Sequence, residues 1–467
     1  MMNRSVKKGQ SPRETALIIM HQVSEKCAYA NLELNKVLSR KDLSPLDRSF
    51  ITELVYGAIR MQGTIDYILG LYIKKPLTSL PIWILLILRM GVYQIMFLDK
   101  VPDRAAVNES VNLAKKYGHA GTVKFVNGVL RNVSRGKENI KYPSIEEDPV
   151  GHIASHYSHP RWMVECWIKE FGLEETINLC SWNNTSPQVT IRTNTLKITR
   201  DELMRRLEKE GVKTSPGRYL PESIILEGIV SLSSLPSYQE GLFQVQDEGS
   251  MMVTHVLSPK PGSKMIDTCA APGGKTTHAA ELMENQGEIK AFDIHPHKLA
   301  LIEESCKRLG INIVEARAED AIKLPDTLEQ WADFCLVDAP CSGLGVLRRR
   351  PDARWKKEAT DILQLVEIQK KILSSAAKTL RPGGVLVYST CTVTKEENQS
   401  MVNWFLGNHP DFSLERIPDV AVRSVGTGFS SGELPFDEAS LQSGMVQLLP
   451  HLHGTDGLFM ARMRRKE

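Results

Sequence analysis

Apolar residues recur at helical spacing from about Pro12 to Arg135, as in "ETALIIMHQV", "FITELVYGAI" and "AVNESVNLAKKYG", with no alternating strand pattern. This spacing predicts an all-helical domain over residues 1–136. The polar run "RGKENIKYPSIEEDPVG" behind it is punctuated by Pro and Gly and reads as a linker. The pattern then changes. After helical segments near Pro160 to Trp182 comes "QVTIRTNTLK", a strand with alternating Val189, Ile191 and Thr193, then a helix at "RDELMRRLEKEG" and a strand at "SIILEG". These predict a small α+β domain, RRM-like, over residues 151–238. From Gln239 to the end, residues 239–467, short apolar strands alternate with helices: "KMIDTCA", "EIKAFDI", "INIVEA", "FCLVDAP" and "GVLVYST". Such alternation implies right-handed βαβ units, a parallel sheet covered on both faces, and a Rossmann-like α/β domain.

Composition fits three modules. The 467 residues exceed one ordinary core, at about 150 residues per domain. With 42% hydrophobic and 24% charged residues the chain reads as globular, which excludes disordered and fibrous classes. The run Pro81 to Leu98 is apolar enough to suggest a membrane span, but Arg89 sits in its middle, where a charge costs roughly 2.5 kcal/mol or more. It is expected to be a buried core helix. The basic start "MMNRSVKKGQSPRE" has no long apolar segment behind it, so a cytoplasmic protein is expected. The eight cysteines, at 27, 166, 180, 269, 306, 335, 341 and 391, form no C-x-x-C pair, which predicts reduced thiols and no metal site.

Charge is unevenly spread. Residues 1–135 carry 20 Lys and Arg against 10 Asp and Glu, while the remainder carries 38 against 45. A basic helical module on a mildly acidic body suggests a polyanion, nucleic acid first, although a merely solvated basic face would look the same.

In a parallel sheet, ligands lie beyond the carboxyl ends of the strands, so those residues come first in a search for chemistry. The first strand runs into "DTCAAPGGKTTHAAEL", where Gly273 and Gly274 allow backbone to approach a ligand and the next helix offers its N-terminal amides. This is neither a dinucleotide fingerprint nor a P-loop. Acids recur at later strand ends: Asp293 closes "IKAFD", Asp320 follows "NIVEA" and Asp338 closes "FCLVD". Each alone could be a helix N-cap. In register beside a Gly-rich loop, they point to a nucleoside-type cofactor, with Asp293 at the ribose and Asp320 at the adenine. Two thiols complete the set, Cys341 after Asp338-Ala339-Pro340 and Cys391 after "VLVYST". Adjacent strand ends put both over one cleft. Either could be a nucleophile, and a buried structural cysteine is the competing reading for each.

Together "DTCAAPGGKTTH", "DAPCSGLGVLRRRPDARW" and "YSTCTVTKEEN" resemble the RNA cytosine-5 methyltransferases that use S-adenosylmethionine. The helical domain resembles the NusB-type RNA-binding domain. With "RTNTLK" (192–197), "FQVQDEGS" (243–250) and "LLPHLHGTDGLF" (448–459), nearly the whole chain resembles the bacterial Sun/RsmB family of 16S rRNA cytosine-5 methyltransferases. That resemblance implies S-adenosylmethionine as cofactor and an unpaired cytosine of incompletely assembled 16S rRNA as target. It also implies a monomer with no membrane and no metal.

The resemblance assigns roles too. Cys391, in the Thr-Cys motif, is the attacking thiol, and Cys341 helps release the product. Asp338 hydrogen-bonds the cytosine edge, and Lys275 contacts the same base. The loop Cys269, Ala270, Ala271, Pro272, Gly273, Gly274 and Lys275 wraps the methionine portion of the cofactor, with Asp338 bordering it. Cys269 is a packing residue of that loop. "RRRPDARW" supplies Arg348, Arg349, Arg350, Arg354 and Trp355 for phosphate contact and base stacking, against a salt-bridged loop as the alternative. Arg350 departs from relatives that carry His or Asn there, which bears on RNA contact and not on chemistry. The same chemistry on tRNA, and a non-catalytic RNA-binding assembly factor, are the alternatives. The complete Gly-rich loop, acids and thiols argue against the latter.

Overall fold

The structure is a computed structural model that describes residues 6, 9–25, 28–38, 40, 42–228, 232–418, 436 and 438–467; Cys27 and most of the basic start lie outside the described residues. Packing divides the chain into two compact units, Met1–Thr185 with Leu347–Glu358, and Ser186–Val346 with Ala359–Glu467.

The first unit is helical: α1 (Pro12–Glu25), α2 (Ala30–Leu38), α3 (Pro45–Arg60), α4 (Gln62–Tyr72), α5 (Ile82–Phe97), α6 (Asp103–Tyr117), α7 (Ala120–Gly136), α8 (Pro149–His156) and α9 (Arg161–Asn183). Starts follow local chemistry. Ser44 accepts the Asp47 amide ahead of α3 with Pro45 in its first turn, and Asp148 does the same for Gly151 ahead of α8. The expected core helix is α5, whose Ile84 to Leu88 are all buried. Its Arg89 forms a forked pair with Asp66, Nε–Oδ1 2.8 Å and Nη2–Oδ2 2.7 Å, which satisfies the guanidinium inside the bundle. No helix among the described residues is long and apolar enough to cross a membrane.

By packing, α8 and α9 fall in the first unit, which ends at Thr185. The turn between α8 and α9 explains it. Ser158 Oγ donates to the Arg60 carbonyl (2.7 Å) and accepts from the Gly63 amide (2.9 Å), which holds both helices against the α3–α4 junction.

The second unit contains two sheets. β1 (Val189–Thr193), β2 (Lys213–Pro216), β3 (Ser223–Glu227) and β4 (Phe243–Val245) form an antiparallel sheet in the order β2-β3-β1-β4, with α10 (Arg200–Lys209) capped by the Thr199–Glu202 box. α11 (Pro236–Gln239) precedes β4, and α12 (Glu248–Leu257) follows it. The large sheet contains β5 (Lys264–Asp267), β6 (Glu288–Asp293), β7 (Val314–Ala318), β8 (Ala332–Asp338), β9 (Leu380–Thr390), β10 (Phe412–Leu414), β11 (Met445–Gln447) and β12 (Phe459–Arg465). Its order is β10-β12-β9-β8-β5-β6-β7, with β11 on β12. The five strands expected from the sequence, β5 to β9, are parallel to their neighbours, while β12 runs antiparallel to β9. The sheet is therefore mixed. Strand order reverses at β5, which has β6 on one side and β8 on the other, and this switch point places the cleft over the ends of β5, β8 and β9.

Candidate active site

β5 ends in Asp267 and turns into α13 (Gly274–Leu282) through Cys269 to Gly273. The turn is tight: the Ala270 amide donates to the Phe292 carbonyl and the Gly273 amide to the Ala270 carbonyl, both at 2.7 Å. Gly273 has φ +100°, and a Cβ there would meet the Ile302 backbone at 3.2 Å, so glycine is needed for conformation and space alike. Lys275, in the first turn of α13, reaches across to β8 and pairs with Asp338, Nζ–Oδ2 2.7 Å. Ser389 Oγ, at the end of β9, donates to the other oxygen of Asp338 at 2.9 Å. Burial works against the Lys275 charge, but Asp338 and the nearby Cys391 sulfur hold its pKa above the ordinary value.

Cys341 and Cys391 meet at Sγ–Sγ 3.3 Å, and the Cys391 amide also points at Cys341 Sγ (3.3 Å). The bond to Cys391, then burial, then the charge of Cys391 push the Cys341 thiol well above the ordinary range. Either sulfur can be the donor in this contact. Burial also pushes the Cys269 thiol up to about 12. Lys275, Asp338, Cys341 and Cys391 are thereby gathered at the ends of three neighbouring elements.

The two thiol loops share a brace that sequence reading missed. Glu397 has no exposed surface; it accepts from the Ser342 amide (2.9 Å), Gln369 Nε2 (2.9 Å), Ser342 Oγ (2.5 Å) and Thr394 Oγ1 (2.7 Å). Ser342 Oγ in turn lies 2.7 Å from Thr392 Oγ1, so the neighbour of each cysteine is tied to the other. Gly345 closes the same junction, its amide on the Cys391 carbonyl at 2.9 Å.

The chain is similar over its whole length to known methyltransferases. The model for "16S rRNA methyltransferase RsmB/F" matches residues 254–464, that for the NusB family residues 10–135, and that for an RsmF/B-like ferredoxin-like domain residues 159–233. A probable ribosomal RNA small subunit methyltransferase B of Bacillus subtilis (strain 168) is 40% identical over 465 residues, 98% of this chain and 100% of the relative. The chain belongs to this family. Further relatives agree: ribosomal RNA small subunit methyltransferase B of Salmonella arizonae is 30% identical, covering 99% of this chain and all of that one. Among solved structures, PH0851 superposes with TM-score 0.80 at 28% identity, over 98% of this chain and 100% of its own. NSun6 from Pyrococcus horikoshii with SFG gives 0.57 at 30% identity, over 66% and 98%.

Within the family's methyltransferase domain the other expected residues occupy distinct settings. Asp293 Oδ1 accepts the His295 amide (2.9 Å), and Asp320 Oδ1 caps the short turn at Ala321 through the Ile322 amide (3.0 Å). Asp267 was not singled out in the sequence. It lies buried beneath the loop, accepts from Thr276 Oγ1 at 2.7 Å, and its Oδ1 has no hydrogen-bond partner. Burial pushes its carboxyl up to about 7.

The "RRRPDARW" stretch divides. Arg350 is exposed and Arg348 half-buried, its guanidinium 4.5 Å from the Trp182 ring centre. Arg354 has no exposed surface; Nη1 donates to the Ser158 carbonyl (2.8 Å) and Asn184 Oδ1 (2.9 Å), and Nη2 to the Asn183 carbonyl (3.2 Å). Trp355 donates its indole N–H to the Ile59 carbonyl at 2.7 Å and packs on the helical core. The expectation of RNA contact by Arg354 and Trp355 is corrected: their polar groups are consumed inside the helical unit. Arg348, Arg349 and Arg350 are the remaining candidates.

Proposed function

We propose that this rRNA methyltransferase transfers a methyl group to carbon 5 of an unpaired cytosine in 16S rRNA, through a covalent bond between Cys391 and carbon 6. The observation that carries the reading is the Cys341–Cys391 contact at 3.3 Å beside the Lys275–Asp338 pair. S-adenosylmethionine supplies an electrophilic methyl group when bound. The residues fit it: Gly273 keeps the loop open to close backbone approach, Asp267 leaves a buried oxygen unpaired under that loop, and Asp293 and Asp320 have second oxygens for ribose and adenine. The first-turn amides of α13 suit the methionine carboxylate.

Carbon 5 of cytosine is too poor a nucleophile to accept a methyl group unaided. Addition of the Cys391 thiolate at carbon 6 makes carbon 5 enamine-like, splitting one hard step into easier ones. Asp338, held by Lys275 and Ser389, hydrogen-bonds the base edge and stabilises the ring protonated at nitrogen 3. The proton on Cys341 stabilises the neighbouring thiolate before attack. After methyl transfer a base takes the carbon 5 proton, the electron pair re-forms the carbon 5–carbon 6 double bond and expels the Cys391 sulfur as thiolate, and the Cys341 thiol stabilises that leaving thiolate. Arg348 to Arg350 are candidates for phosphate contact, and the base itself must be splayed out of folded RNA to reach the cleft.

The test is methyl transfer from labelled S-adenosylmethionine to 16S rRNA lacking the modification. Cys391→Ala is expected to be inactive and to form no adduct. Cys341→Ala is expected to accumulate a protein–RNA adduct that survives denaturing gels. An adduct on Cys391→Ala instead would reverse the two roles.

A further inference from the structure

Two sequence motifs with no role in the transfer step meet the cofactor loop at one buried guanidinium. Arg192 of "RTNTLK", on β1 of the small sheet, has no exposed surface. It grips Glu281 of α13 with both arms of its fork, Nε–Oε2 2.9 Å and Nη2–Oε1 2.8 Å. Nη2 also donates to Thr277 Oγ1 at 3.1 Å. Nη1 donates to the Gly274 carbonyl at 2.8 Å and to Gln246 Oε1 of "FQVQDEGS". All five of its N–H donors are thus directed at α13 and at the segment between β4 and α12. Thr277 Oγ1 in turn donates to the Gly273 carbonyl at 2.8 Å. The first turn of α13, where Gly273, Gly274 and Lys275 form the cofactor loop, is therefore held from the small sheet.

The surrounding charges make the grip specific. Glu222, just before β3, accepts from His255 Nε2 at 2.6 Å and lies 3.2 Å from His278 Nε2. Burial, then the Arg192 charge, push His278 down to about 3, so it stays neutral and adds no competing cation. Glu281 balances Arg192, and the bidentate fork fixes its direction in a way a lysine cannot reproduce.

We propose that Arg192 is a positioning residue for S-adenosylmethionine: the small sheet sets the cofactor loop through the Arg192–Glu281–Gly274 contacts, and cofactor affinity depends on them. This rests on the cofactor reading under Proposed function. Arg192 touches neither cofactor nor RNA in this reading and acts only through the first turn of α13.

The experiment measures S-adenosylhomocysteine binding to the full chain by calorimetry, with thermal unfolding alongside. Arg192→Lys keeps the charge and loses the fork; its Kd is expected to rise about tenfold, with KM for S-adenosylmethionine rising in proportion and KM for RNA unchanged. Asn194→Ser is the control, because Asn194 bonds the Gly241 and Leu309 carbonyls (2.9 and 2.8 Å) of the same unit without touching the loop. It should lower the melting temperature and leave Kd alone. If Arg192→Lys does not fold, Thr277→Val, of the same shape, decides the matter through an expected threefold weaker binding. Wild-type Kd in the folded Arg192 variant, or in Thr277→Val where that variant must decide, overturns the proposal, as does an equal loss in Asn194→Ser. Failure of the wild type to bind S-adenosylhomocysteine would overturn the cofactor reading instead.

Discussion

Cys341 and Cys391 are the same chemical group in contact, and their surroundings make them different reagents. Only the thiolate is nucleophilic, and Cys341 is pushed well above the ordinary thiol range by its bond to Cys391, by burial and by that neighbour's charge. Iodoacetamide at pH 8 is therefore expected to mark Cys391 and spare Cys341, read by peptide mapping. Cys391→Ala removes the largest of those causes, so Cys341 should label faster in that variant than in the wild type. Equal labelling of both thiols in the wild type would contradict the assignment. Asp267 gives a second test, on stability. Its folded pKa of about 7 lies above the ordinary value of 3.8, so the folded state disfavours ionisation. No cost exists below the unfolded pKa; it grows as pH rises from about 4 to 7 and then levels off, at on the order of 4 kcal/mol. Asp267→Asn should abolish that slope, so its urea unfolding free energy should gain on the wild type between pH 4.5 and 7. Both cysteines and Asp338 were legible in the sequence because strand ends advertise themselves. Asp267 closes a strand in the same way, but the Gly-rich loop that follows it carries the stronger signal and masks it.

At the scale of elements, the site depends on how the loops after β8 and β9 are held together. Two adjacent acids, Glu396 and Glu397, are indistinguishable in the sequence; one is exposed and the other has no exposed surface. Only the fold selects Glu397, by bringing Ser342, fifty-five residues away, onto its carboxylate. Glu397→Gln replaces an acceptor of four donors by a group that must donate with one of its two ends. A cost of about 1–3 kcal/mol is expected for the misplaced donor, with a lower melting temperature. Because Ser342 and Thr392 adjoin the two thiols, methyl transfer should fall at least as steeply as stability. Gly345 is a sharper probe: a Cβ there would lie 2.0 Å from the Gly457 carbonyl oxygen and 2.9 Å from that of Cys391. Gly345→Ala must push the loops apart, and a loss of activity about a hundredfold is expected with the cofactor Kd unchanged, since the cofactor loop is not displaced. The five parallel strands were readable from apolar runs bounded by helices. The antiparallel β12 was not, because Arg462, Arg464 and Arg465 interrupt its apolar run.

At the scale of the whole chain, the covalent order and the packing disagree, and that disagreement is testable. Residues 347–358 are bounded on both sides by the methyltransferase unit in sequence, yet they pack with the helical unit. Charge and composition marked "RRRPDARW" as an RNA loop; nothing local distinguishes a guanidinium bound for phosphate from one bound for carbonyls. Arg354 satisfies the Ser158 and Asn183 carbonyls, Trp355 the Ile59 carbonyl, and Lys356 the Ala28 carbonyl at 2.6 Å. A chain ending at Thr185 would lack all of these donors and the Trp355 ring. Buried carbonyls stripped of their donors cost about 1–3 kcal/mol each unless water reaches them, so that fragment should unfold at a lower temperature than the helical unit of the full chain. A synthetic peptide of residues 347–358 should bind it and raise its melting temperature, whereas the same peptide with Arg354→Ala and Trp355→Ala should not. If the fragment melts as the full chain does and ignores the peptide, the segment contributes nothing to the helical unit. The outcome expected here makes the helical unit's fold depend on chain synthesised long after it, so its last contacts form only once the β8 strand and its thiol loop have been made.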